Sequence, residues 1–141
     1  MIDLVARFED CTLPTAEFHH AQHVRVAWEY LREEASPIDA LRRFATNLRR
    51  FADHHGASTL YHETITWAYV VLIHERMLRA PEGDWSSFAE ANADLLTWKP
   101  SILERYYTNE TLFSDLARRA FVMPDRSGAA GFSPPEMKTA G

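Results

Sequence analysis

Residues 61–80 read "YHETITWAYVVLIHERMLRA" and are followed by "PEG" at 81–83. Thr66, Tyr69, Val70, Ile73 and Met77 recur at the three- and four-residue spacing of a helix that turns by about 100° per residue. The spacing predicts a long helix from roughly Tyr61 to Ala80, stopped where proline and glycine end the pattern. A helix with one apolar stripe has to lay that stripe against other helices, so this segment sets the fold class of the whole chain.

Working outward, the same period appears on both sides. "HHGAST" at 54–59 breaks the chain before this helix, and a preceding one starts at "SPID", where Ser36 can cap, Pro37 suits the first helical position and Asp39 completes a capping-box-like pattern. It continues to about Asp53. Helices are also expected at about 19–34 and 2–11, the latter stopped by "TLP". Beyond residue 83, Asp84 or Ser86 caps a fifth helix, and two shorter ones start at Pro100 and Thr108. No strand pattern competes. The expected fold is all-α, an up-down helical bundle of about four long and three shorter helices. Residues 1–126 form its single domain. "SGAAGFSPPEMKTAG" at 127–141, rich in Gly, Pro and Ser, is expected to be a flexible C-terminal tail.

Composition narrows the function. The chain has 141 residues, 46% hydrophobic and 12% aromatic, which fits one well-filled domain. Fifteen basic against twenty acidic residues give a net charge of -5, so neither nucleic acid nor an anionic membrane surface is an expected partner. The lone Cys11 makes no internal disulfide and the N-terminus lacks a signal-peptide pattern, pointing to the cytoplasm. The apolar run "WAYVVLI" is far shorter than the roughly 20 residues that cross a bilayer. There is no glycine-rich phosphate loop, no nucleophile elbow and no four-cysteine zinc framework.

The histidines carry the functional signal. His20 falls on the stripe of Val24, Ala27, Trp28 and Leu31, with His23 on its flank, and His62 precedes Thr66 by four residues and Tyr69 by seven. If the helices alternate in direction, His20, His23, His54, His55 and His62 gather at one end. Imidazoles at apolar positions need partners for their ring nitrogens. One way to supply them is a divalent ion (iron, zinc or nickel) bound by His20, His23 and His62, which leaves open positions for water or substrate. The fourth ligand is then His55 or Glu63. Glu63 is also a candidate general base, or simply an acidic residue complementing the dipole of a helix start. The other way is a hydrogen-bonded histidine cluster without metal. "HHAQH" at 19–23 is not a zincin motif, because His20 stands where that motif needs glutamate. Arg118 or Arg119 either forms a surface salt bridge, the usual role of such residues, or holds an anionic substrate group, and Trp28, Trp67 and Trp98 are expected as core or pocket wall.

Phe18, His20, His23, Ala27 and Trp28, followed by Tyr61 and "HETIT" at 62–66, resemble a family of small bacterial all-helical proteins with F-x-H-x-x-H and Y-H-E-T-I-T motifs, over about residues 10–126. The chain is also loosely similar to the DinB-like metal-binding bundles, in which three histidines near one bundle end hold a divalent ion. That second resemblance implies a metal site here, although its usual late H-x-x-x-H pair is absent. Together these readings lead to an expected metal-dependent enzyme acting on a small-molecule substrate by hydrolysis or oxygen activation. The alternative is a non-catalytic binding or interaction module with a buried histidine cluster or structural metal. Val71 and Leu78, outside the main stripe, make a homodimer possible.

Overall fold

A computed structural model describes residues 3–126, so the tail expected at 127–141 lies outside the described residues. All regular structure among the described residues is helical. The helices are α1 (Leu4–Glu9), α2 (His20–Glu33), α3 (Pro37–His54), α4 (Glu63–Arg79), α5 (Trp85–Ala91), α6 (Ala93–Leu96), α7 (Asn109–Leu112) and α8 (Asp115–Arg119). Short 3₁₀ turns lie at Thr15–Glu17, Ser58–Leu60 and Ile102–Arg105. None of the described helices is long and apolar enough to cross a membrane.

Caps explain most of the boundaries. Ser36 Oγ accepts from the Asp39 amide at 3.2 Å and Pro37 occupies the first turn of α3. Asp84, Ser101, Thr108 and Ser114 each accept an amide from the turn they precede. α3 ends where Gly56 takes a φ of 68°, which lets the Ala57 amide turn back onto the Ala52 carbonyl at 2.7 Å. Only a residue without Cβ enters that left-handed conformation at little cost.

The segments after α4 are more broken than their pattern implies. The expected fifth helix stops at Asn92, whose side-chain amide donates to the Phe88 carbonyl and whose oxygen accepts from Arg76. "ILER" forms a 3₁₀ turn, and the last segment splits at Ser114. Side chains that bond their own backbone compete with helix continuation, and Asn and Ser do so at both breaks.

α2 is the central element. Val24, Val26, Ala27, Trp28 and Tyr30 are all buried, so it is covered on more sides than the single stripe expected. Its start meets the end of α3 through Phe18 and Phe51, with ring centroids 4.9 Å apart, and Phe8 of α1 joins them at 4.8 and 5.3 Å. Its end meets the start of α3, where Arg43 reaches Glu33 at 2.8 Å and Glu34 at 3.0 Å. At the opposite end of the pair, α4 joins the end of α3: Arg49 bonds Glu63 at 2.9 Å. The starts of α2 and α4 and the end of α3 are thereby drawn together.

The final described residues close against α4. Thr64, with no exposed surface, donates to the Ala120 carbonyl and accepts from the Val122 amide. Phe121 stacks on Trp67 at 5.0 Å and the Tyr107 hydroxyl donates to the Val122 carbonyl. Val71 and Leu78 remain exposed on α4.

Candidate functional site

Where α2 and α4 begin and α3 ends, the helices enclose a cavity of about 660 Å³. Its interior is apolar and aromatic, from Phe18, Val24, Leu48, Phe51, Ile65 and Ile73. Its outer edge carries Leu60 and Phe113, which are 78% and 60% exposed. Four imidazoles, those of His20, His23, His55 and His62, face this one space.

Each histidine is held differently. His20, the first residue of α2, places Nε2 2.9 Å from the Leu95 carbonyl and packs its ring against Tyr69 and Trp98 at 4.7 and 5.1 Å. A nitrogen bonded to a carbonyl carries the proton, so the tautomer is Nε2–H. Burial lowers the His20 pKa and the Leu95 bond only partly opposes it. His23, one turn on, stands edge-on to Phe18 at 4.1 Å. Burial, reinforced by His20 and His19, pushes its pKa down to about 3, so it is neutral at physiological pH.

His62 is the residue whose role differs most from its helical phase. It is the N-cap of α4, with extended φ and ψ of -134° and 111°, and Nδ1 accepts the Ile65 amide at 3.1 Å. Its Nε2 donates to the Leu112 carbonyl at 2.7 Å. Both ring nitrogens are thus used by the backbone. Burial lowers its pKa, with the Leu112 bond opposing and Arg118 adding to the depression.

His55 follows the last turn of α3 and sets its ring at a tilt against Phe51, centroids 4.4 Å apart. Its Nε2 is buried and has no hydrogen-bond partner. His54 is exposed, as the phase of α3 implies.

The expected ion ligands therefore line one cavity, but two of them bond backbone carbonyls instead of a shared ion. Among the described residues no group of three His, Cys, Asp or Glu side chains is arranged to hold a metal. His62 would have to give up both its cap and its bond to Leu112 before it could coordinate iron, zinc or nickel. The donor set does not fit such an ion as it stands.

Glu63 is not on the cavity wall. Its Oε1 accepts from Arg49 at 2.9 Å and from the Tyr61 hydroxyl at 2.5 Å, and the Arg49 guanidinium lies 4.8 Å from the Tyr61 ring centre. A carboxylate occupied by a guanidinium and a phenol, and off the cavity wall, is poorly placed to take a proton from anything in the cavity. Tyr61 does line the wall, and burial, followed by the bond to Glu63, raises its pKa.

Periodicity did not reveal the contributions of Ala57, Thr59, Leu60, Phe113 and Arg118, which reach the site from non-helical or late segments, whereas Trp98 was among the tryptophans expected as core or pocket wall. For Arg118 the sequence held a partial signal, a guanidinium beside a second one in "ARRAF". Only the structure separates the two. Arg119 pairs with Asp115 at 2.8 Å, whereas Arg118 donates to the Thr59 carbonyl at 2.7 Å and faces the cavity. No protein-family model, no curated protein and no solved structure matches this chain.

Proposed function

We propose that the chain is a small-molecule-binding domain whose apolar cavity uses neutral imidazoles as polar handles. The observation that carries this is the convergence of four histidines on one cavity of about 660 Å³, within the range of roughly 300–1,000 Å³ typical of small-molecule sites. An apolar wall with a few convergent polar groups is how such sites combine affinity with orientation. Neutral imidazole offers both a donor and an acceptor, and its low pKa in this setting keeps it in that form.

This reading belongs to the binding-module alternative. The metal-dependent enzyme is less well supported, because ion binding needs His62 released from α4 and a general base needs Glu63 released from Arg49 and Tyr61. Elemental analysis of tag-free protein tests the metal reading directly: one equivalent of bound ion, lost in a His20→Ala, His62→Ala double variant, would restore it.

Binding itself is tested with a neutral apolar fluorophore, N-phenyl-1-naphthylamine. One equivalent is expected to bind with enhanced emission. Ala52→Trp, which places an indole in the cavity from the half-buried wall of α3, is expected to abolish binding while the helical circular dichroism is unchanged. Undiminished binding in that variant would place the fluorophore elsewhere and remove the proposal.

A further inference from the structure

The cavity has a charge pattern that the rest of the protein does not share. The chain carries twenty acidic against fifteen basic residues, yet no Asp or Glu side chain lies on the cavity wall. The one formally charged residue there is Arg118. It sits on α8, is exposed, and reaches Thr59 at the outer edge, beside the apolar Leu60 and Phe113. Its guanidinium pairs with no carboxylate among the described residues, in contrast to Arg43, Arg49, Arg76 and Arg119. One donor is spent on the Thr59 carbonyl oxygen, and a guanidinium has further donors in a planar fork that matches a carboxylate.

Resting on the small-molecule reading above, we propose that the cavity selects a compact apolar monocarboxylic acid, with its carboxylate on Arg118 at the outer edge and its apolar body between Phe18, Phe51 and Ile65. A cationic ligand finds no counter-charge on this wall. A neutral one leaves Arg118 without a counter-ion, though water can still solvate it at the edge. The net negative charge of the protein lowers the local concentration of anions at long range, so selection has to come from the short-range pair, which salt screens only partly at a half-open site.

The test compares octanoate with 1-octanol, equal in chain length and different in charge, by isothermal titration calorimetry on the full chain. The wild type is expected to bind octanoate about tenfold more tightly than octanol. Arg118→Gln, which keeps a donor for Thr59, is expected to bring octanoate down to within about twofold of octanol, and Arg118→Lys to keep part of the preference. Equal affinities in the wild type, or an undiminished octanoate preference in Arg118→Gln, would overturn the carboxylate assignment while leaving the cavity a binding site. Failure of both compounds and of the neutral fluorophore to bind would overturn the small-molecule reading as well.

Discussion

The two ends of the α2–α3 pair treat polar groups in opposite ways. At one end Arg43 gathers Glu9, Glu33 and Glu34, the Tyr30 hydroxyl donates to Glu9, and Asn47 donates to that hydroxyl. The guanidinium also lies 3.9 Å from the Tyr30 ring centre, so charge, ring and amide close on one another. At the other end the rings of His23 and His55 stand against phenylalanines, and His55 Nε2 is buried without any partner. A closed network is what a fold needs to specify its helix pairing. Polar groups left facing a cavity cost stability and are kept where something outside the chain completes them.

The largest expected effect comes from breaking the closed end. Arg43→Met leaves three carboxylates and a phenol facing each other, and should lower unfolding free energy by about 3 kcal/mol in urea titrations. A loss under about 1 kcal/mol would mean that the closed end is a solvated surface cluster.

Acid should act on the open end instead. The folded pKa of His23 lies below the usual 6.5 at about 3, and those of His20 and His62 are also lowered. Between those values the unfolded chain binds more protons, so stability falls as pH drops below about 6.5 and the penalty levels off only near the folded pKa. For His23 alone this amounts to about 2 kcal/mol between pH 6.5 and 5. His23→Phe should flatten that limb by this amount in melts across the pH range. An unchanged limb would assign the acid sensitivity to other groups.

Smaller effects separate capping from ligand recognition. His62→Ala should cost about 1 kcal/mol or more, through the lost cap, and His62→Asn should recover part of it because asparagine also caps well. Equal losses would show that the Leu112 bond dominates. Gly56→Ala should cost about 1 kcal/mol, because a Cβ at a φ of 68° is strained even with no neighbour within 4 Å.

The long helices were legible because their boundaries are chemical. Ser36 with Pro37, and Gly56, mark α3 in the sequence as they do in the structure. The gathering of histidines was legible for the same reason: helix starts and ends can be placed from caps, and capped ends place His20, His55 and His62 near one another. What the imidazoles do there was not legible. Periodicity treats His62 as a helical residue pointing inward, whereas its ring caps α4 and bonds Leu112, a partner fifty residues away. Glu63 beside it was equally ambiguous until Arg49 and Tyr61 were seen to hold it. Arg118 could be assigned to the cavity only through its bond to Thr59, a long-range contact that no local pattern encodes.

The Thr64 hydroxyl, by tying the start of α4 to residues 120 and 122, makes the cavity depend on chain that follows α4 at a distance. A nascent polypeptide can assemble α2, α3 and most of α4 while the ribosome still holds Phe113, Arg118 and the strand of backbone that Thr64 clasps. The cavity is therefore complete only once residues 113–122 have joined it, and a product truncated before them would display the apolar walls without Arg118.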